Sequence, residues 1–247
     1  MPAPRSSHVR DATAIIRERR RTQVRRRVIR VAVPILVVLL IGAIVYAVWF
    51  SSLLSAKSVQ VDGNSQASTE EILAAAQVPL GTPLARLDTD SIRTRVRAVP
   101  EVADAAVTRS LSGVIHISVT ERVGVYIIAV GSGYLVVDSS GVGFLTVPSA
   151  PEGLPAVSLT VDQTPESQRL MADAATVVTA LPDSVRTRMT WIGADTPDTF
   201  TIDLDDGSEV LWGSAEDSAL KAQVIDGLLA VNAHYYDVSS PSHPATR

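Results

Sequence analysis

The stretch VPEVADAAVTRSLSGVIHISVTER, residues 99–122, decides the fold of the segment around it. Its second half alternates strictly, with Ile115, Ile117 and Val119 to one side and His116, Ser118 and Thr120 to the other. That is the period of a strand with one buried face. VADAAVTRS ahead of it reads as a second strand, and Leu111-Ser112-Gly113 supplies the turn between them, glycine bringing the backbone freedom that a tight hairpin needs. A sheet with one apolar face requires a cover.

The cover lies upstream. Asp88 stands where it can cap a helix that carries Ile92, Val96 and Val99 at i, i+4 and i+7, while Arg93, Arg95 and Arg97 point largely elsewhere and Pro100 closes the run. Before it, Ser68 precedes Glu71 by three residues, the spacing of a capping box, and Ile72, Ala75 and Ala76 form an apolar stripe that ends by Pro79, with Gly81 and Pro83 in the connection. SVQVDGN, residues 58–64, places Val59 and Val61 on one face before a turn at Asp62-Gly63-Asn64. Strand, helix, helix, strand, strand over 57–123 predicts a small α+β domain with two helices over one sheet face.

Still further upstream, VAVPILVVLLIGAIVYAVWF, residues 31–50, holds no charge. At the rise of an α-helix twenty residues reach about 30 Å, the thickness of a bilayer's hydrocarbon core. The run predicts one transmembrane helix, and Pro34 near its start does not forbid the span. It is too long for a secretory h-region, and Ser51–Ser58 is a poor cleavage site, so the expectation is an uncleaved anchor. Residues 1–30 carry ten arginines against Asp11 and Glu18, a formal charge of +8, whereas residues 51–247 carry 12 basic and 24 acidic side chains, a charge of −12. The positive-inside rule then puts the N-terminus in the cytoplasm and the C-terminal part outside. The arginine cluster fits anionic lipid at the membrane surface. Nucleic acid is the lesser alternative and not the expected partner, since no aromatic residue lies among the first thirty to stack on a base and the arm is pinned at the bilayer.

Downstream of the hairpin, VGVYIIAVGSGYLVVDSSGVGFLTV (123–147) breaks apolar runs at Gly131, Gly133 and Asp138-Ser139-Ser140-Gly141, the pattern of a β-meander. A helix follows with Leu170, Ala174, Val177, Val178 and Leu181 at helical spacing, stopped by Pro182. Strands are predicted at 189–192, 200–204 and 209–212, the last two joined across Asp205-Asp206-Gly207. A final helix from about Glu216 presents Leu220, Val224 and Leu228, with Ser214 as its cap and Asp217 at the box position. HYYDVSS then sets Tyr235 and Asp237 against Tyr236 and Val238, a strand near a sheet edge, before Pro241 and Pro244 end the ladder. The expected organisation is a basic tail 1–30, a transmembrane helix 31–50, the α+β domain 57–123, a mixed and mostly antiparallel β domain with flanking helices 124–240, and a tail 241–247.

Chemistry is hard to find in this chain. There is no cysteine, which removes disulfides and thiolate sites. Ser218-Ala219-Leu220-Lys221 has the S-x-x-K form of penicillin-binding enzymes, but S-D-N and K-T-G companions are missing. Asp203, Asp205, Asp206 and Gly207 lack the glutamate of a calcium loop, since position 213 is glycine. Gly131-Ser132-Gly133 and Gly141-Val142-Gly143 are turns rather than a dinucleotide loop, and His8, His116, His234 and His243 share no ligand spacing. No catalytic, cofactor or metal site and no small-molecule substrate is predicted.

The succession VQVDGN, a helix opening on Glu70-Glu71-Ile72, GTPLARLD, VPEVADAAVTRS and IHISVTER resembles the POTRA domain of the FtsQ/DivIB bacterial cell-division proteins. YLVVDSSGVGF, LPAV, LDDGSEVLWGSAEDSALKAQVIDGLLA and YDVSSPSHPATR resemble the β domain of the same family, especially its actinobacterial branch. Many family members carry a Trp-Pro pair where this chain has Leu111-Ser112-Gly113.

The resemblance implies a non-catalytic, single-pass protein of the division septum, with FtsB/DivIC-like and FtsL-like single-pass partners and the septal peptidoglycan synthase complex within reach. In the family the partner docks on the last strands of the β domain. Carried over, this gives Tyr235, Tyr236, Asp237 and Val238 as a β-augmentation site, because an unpaired strand edge accepts another strand and tyrosine offers large contact area at low entropic cost. Lys221 on the neighbouring helix is a weaker candidate. Two alternatives stay open: the tyrosines are covered by the domain's own helix, or the chain is a cell-wall enzyme or a peptidoglycan-binding accessory protein.

Overall fold

The computed structural model describes residues 30–50, 54–160, 162 and 164–247. The basic tail 1–29 lies outside the described residues. Helix α1, Arg30–Phe50, is long and apolar enough to cross a membrane and holds no buried residue, as a lipid-facing helix requires.

The expected α+β order follows: β1 (Ser58–Asp62), α2 (Thr69–Ala76), a single 3₁₀ turn (Leu84–Arg86), α3 (Thr89–Val96), β2 (Val102–Arg109) and β3 (Val114–Glu121). The three strands form a sheet in the order β1-β3-β2. Ser68 caps α2 as its spacing predicts, its hydroxyl accepting from the Glu71 N–H at 3.1 Å, and Gln77 ends the helix in the left-handed region. Ile72 and Ala76 of α2, Ile92 and Val96 of α3, and Ile115, Ile117 and Val119 of β3 are buried, so each predicted stripe faces inward. Arg95 reaches back from α3 to the Ala76 carbonyl at 2.7 Å. Gly63, at φ +88°, lies so close to the Val119 carbonyl oxygen that a Cβ there would stand 2.3 Å from it. No other residue fits that turn.

Residues from 124 onward build two sheets. β4 (Gly124–Val130), β5 (Gly133–Asp138) and β6 (Gly143–Val147) are the predicted antiparallel meander. The second sheet has six strands in the order β12-β11-β10-β9-β8-β7, formed by β7 (Val157–Leu159), β8 (Met189–Ala194), β9 (Phe200–Leu204), β10 (Glu209–Gly213), β11 (Tyr235–Asp237) and β12 (Ala245–Thr246). The helices are α4 (Pro165–Ala180), the short α5 (Asp183–Arg186) and α6 (Ser218–Leu228). α4 touches α6, β4, β5 and β7, and its Leu170, Ala174, Val177 and Val178 enter a core with Trp212, Phe200 and Ile202. The Tyr126 hydroxyl donates to the Met171 carbonyl inside that core at 2.8 Å.

By chain contacts the molecule resolves into two compact units. One comprises the described residues up to 60 with 78–89 and 108–116, and the other comprises 61–77, 90–107 and 117–247.

Two sequence expectations need correction. α6 begins at Ser218, and its N-cap is Asp217 at φ 54° with no capping bond from the side chain; Ser214 instead accepts a bond from Lys221. The buried face of α6 is Ser218, Lys221 and Ile225, while Leu220 is 47% exposed. Lys221 therefore occupies a core-facing position that hydrophobic spacing assigns to its neighbour. The chain also makes a strand beyond Pro241 and Pro244. Each proline removes only its own N–H, and a turn closed by His243 N–H to the Ser240 carbonyl at 2.9 Å brings residues 245–247 back along β11.

A candidate partner-binding edge

The candidate site is one end of the six-stranded sheet. β11 pairs in parallel with β10, matching Glu209 with Tyr235, Val210 with Tyr236 and Leu211 with Asp237. Backbone bonds flank this pairing, from Glu209 N–H to the His234 carbonyl and from Val238 N–H to the Leu211 carbonyl, both 3.0 Å. Tyr236 and Val238 point into the core at 3% and 0% exposure. The Tyr236 hydroxyl donates to the Val231 carbonyl at 2.8 Å and accepts from the Ala233 N–H at 3.3 Å. Tyr236 is thus a fastener for the chain between α6 and β11, and of the two tyrosines only Tyr235, half-buried, faces outward.

The outer flank of β11 is occupied. β12 runs antiparallel to it, pairing Tyr236 with Thr246 and Asp237 with Ala245. The N–H groups of His234 and Tyr235 both donate to the Arg247 carbonyl, and Arg247 N–H donates back to Tyr235, each at 3.0 Å. The Arg247 guanidinium lies 5.2 Å from the centre of the Tyr235 ring, a cation–π distance. Burial, with Asp237 and Glu209 nearby, pushes the Tyr235 phenol up, and Arg247 opposes that shift. Asp237 ends β11 by accepting from Ser239 N–H at 2.9 Å and Ser239 O–H at 2.7 Å. The open ladder edge expected at β11 is therefore covered by the chain's own residues 245–247, which are all exposed. The new edge belongs to β12. Sequence alone gave little sign of this strand: Ser240-Pro241-Ser242-His243 is a turn signal, but two residues carry no period.

Lys221 is not presented at the surface. It is 1% exposed, and its ammonium donates to the Ser214 carbonyl at 2.8 Å and faces the Ser214 hydroxyl at 3.5 Å. Burial pushes its pKa down, while Asp217, Glu216 and Asp198 pull it back. Ser218 of the S-x-x-K accepts from Trp212 Nε1 at 3.1 Å and donates to the Ala215 carbonyl at 2.8 Å, so its hydroxyl is committed to packing. Asp205 and Asp206 pair with Arg188 in the β9–β10 turn. Among the described residues no group of three His, Asp or Glu side chains is placed to hold a metal ion.

The described residues thus comprise an apolar helix of bilayer length, a three-stranded α+β domain and a two-sheet β domain that ends in a partly covered strand edge. Comparison with known proteins is specific. Residues 54–122 match the POTRA domain, FtsQ-type, and residues 126–239 match the cell division protein FtsQ/DivIB, C-terminal family. The chain is similar to cell division protein FtsQ of Streptomyces bingchenggensis, 35% identical over 235 residues spanning 92% of this chain and 89% of that protein. It is also similar to FtsQ of Streptomyces venezuelae, 35% identical over 218 residues spanning 85% and 80%. Among solved structures, the major extracytoplasmic domain of the trans isomer of the cell division protein DivIB from Geobacillus stearothermophilus matches with a TM-score of 0.34 at 18% identity, over 45% of this chain and 93% of that one. The chain belongs to the FtsQ/DivIB family of bacterial cell-division proteins. That is a non-enzymatic family that acts in divisome complexes, and the cell-wall enzyme alternative is set aside on that ground.

Proposed function

We propose that this chain is a bitopic divisome scaffold, with its N-terminus in the cytoplasm and residues 51–247 outside, which holds single-pass division proteins of the FtsB/DivIC and FtsL type at the septum. The domains 57–123 and 124–240 are its two docking modules, and septal peptidoglycan synthases are reached through the captured partners. The asymmetry between +8 over residues 1–30 and −12 over residues 51–247 supports the orientation.

The observation that carries the docking reading is the occupant of β11. Its outer flank is filled by a strand of two residues, both exposed. Tyr235 N–H points outward to Arg247 and Val238 N–H inward to Leu211, so by alternation the Asp237 N–H also faces outward. A longer partner strand that displaces residues 245–247 gains the same backbone groups and more contact with the Tyr235 face. Tyr236 and Val238 support the edge from beneath, and Lys221, buried against Ser214, stays outside the contact.

The test uses the full chain in dividing cells with a photoreactive residue at Tyr235. A crosslink to a single-pass division protein is expected, lost in Asp237→Pro, which removes an outward N–H and spares the bonds to β10. Equal crosslinking in that variant, or none in the unaltered chain, rules out strand addition here.

A further inference from the structure

Six residues after the end of α1 the chain is clamped between two loops. Ala56 N–H donates to the Thr82 carbonyl at 2.9 Å and Gly81 N–H to the Ala56 carbonyl at 2.7 Å, while Lys57 N–H donates to the Gly113 carbonyl at 2.7 Å. The turn at 79–82 and the hairpin tip at 110–113 are therefore tied to residues 56 and 57. Seven residues of chain span at most about 25 Å, so both loops stay near the outer end of α1. The helix provides no stalk: its 21 residues reach about 32 Å, which the hydrocarbon core consumes.

Each loop tip exposes a leucine. Leu80 is 59% and Leu111 83% exposed, the latter more than any other large apolar side chain among the described residues. Charge divides in the same place. Residues 54–60, 78–89 and 108–116 carry Lys57, Arg86 and Arg109 against Asp88, a net +2, whereas the rest of 51–247 carries 9 basic and 23 acidic residues, a net −14. The aliphatic stem of Lys57 lies against Gly113, two residues from Leu111, in the manner of a snorkelling lysine. Tyr46, Trp49 and Phe50 at the end of α1 suit the same interfacial depth.

We infer that the 79–82 turn and the 110–113 hairpin tip are a second membrane contact, seating Leu80 and Leu111 in the anionic headgroup layer of the bilayer that α1 crosses. The inference rests on α1 being a span. Two apolar wedges with a cationic rim fit a lipid surface, bury about 5–10 Å deep, and gain from anionic lipid. This contact fixes the 79–82 turn and the 110–113 hairpin tip at the headgroup layer.

Because the chain has no cysteine, single-cysteine variants of the full chain report one position each. Leu80→Cys, Leu111→Cys, Thr176→Cys on the exposed side of α4 and Leu40→Cys in α1 are labelled with an environment-sensitive fluorophore. They are then reconstituted in vesicles of phosphatidylcholine and phosphatidylglycerol that carry a nitroxide lipid. Quenching at 80 and 111 is expected to exceed that at 176 by at least about twofold, and to weaken in phosphatidylcholine alone. Equal quenching there overturns the anionic preference. Quenching at 40 with none at 80 and 111 overturns the inference and leaves the span standing, and no quenching at 40 removes both. Labels exposed in vesicles but protected in cells assign the two leucines to a protein instead of lipid and overturn the inference as well.

Discussion

Tyr235 and Arg247 hold each other twice, through reciprocal backbone bonds of 3.0 Å and through the guanidinium 5.2 Å from the ring centre. The pair latches residues 245–247 onto β11. A latch of one pair, an exposed arginine on a half-buried tyrosine, and a few backbone bonds is weak, which is what a displaceable strand needs.

Arg247→Ala removes only the cation–π half of the latch, about 0.5–1 kcal/mol at an exposed position. Amide exchange at Tyr235 is expected to quicken by about two- to fivefold, with no change at Val238, whose N–H bonds to Leu211. Deleting residues 245–247 is expected to raise partner affinity at the edge. A fall in affinity upon deletion shows that the partner extends β12 instead of replacing it.

The buried partner of the tyrosine pair behaves differently. Tyr236→Phe loses one donor and leaves the Val231 carbonyl unpaired, about 1 kcal/mol, whereas Tyr236→Ala opens a cavity in the core worth about 3–5 kcal/mol. Chemical denaturation of the full chain in detergent, followed by Trp fluorescence, is expected to separate the two. Tyr236→Phe is also expected to keep partner capture, because the ring faces inward; lost capture with intact stability places the hydroxyl at the interface.

How much of this was legible follows from what each residue type announces. The alternation of Ile115, Ile117 and Val119 and the helical spacing of Leu170 to Val178 survive in the structure, because burial on one face is what such patterns encode. At the end of the chain the alternation separates Tyr235 and Asp237 from Tyr236 and Val238 but does not say which side is buried, and Tyr236 and Val238, expected at a partner, face the core. The face of α6 was not: a lysine at a core position reads as surface, and its bond to Ser214 lies seven residues back. β12 was illegible because its pairing is set by a turn and by Tyr235, outside its own two residues. The covered edge is therefore where pattern reasoning stopped short.

Arg122 is a further feature that spacing does not reveal. Its guanidinium lies 2.5 Å from Asp138, with the two side chains 17% and 6% exposed, and also donates to the Pro100 carbonyl at 3.0 Å. Asp138 in turn accepts from the N–H groups of Ser140 and Val142, both 2.9 Å, closing the turn before Gly143. Arg122→Ala leaves a carboxylate buried without its cation, for an expected loss of about 3–5 kcal/mol. Arg122→Ala with Asp138→Asn is expected to recover part of that loss in the same denaturation measurement. Recovery of nothing means that the arginine stem, not its charge, supports the turn.

Glu121 gives a pH dependence with a definite sign. Its carboxylate accepts from the N–H groups of Ser65, Gln66 and Ala67 at 2.8, 2.9 and 2.9 Å and from the Ser65 hydroxyl at 2.7 Å. Burial alone would raise its pKa, but these bonds to the charged form prevail and bring it from the ordinary 4.5 down to about 2. A carboxyl whose folded pKa lies below its unfolded one stabilises fully above the unfolded value, and that contribution fades as pH falls through the folded one. The difference in Tm between the unaltered chain and Glu121→Ala is therefore expected to be constant from neutral pH to about 5, to shrink between 4.5 and 2, and to vanish below. A difference that persists unchanged at pH 2 assigns the role of Glu121 to packing against the 65–67 loop and not to its charge.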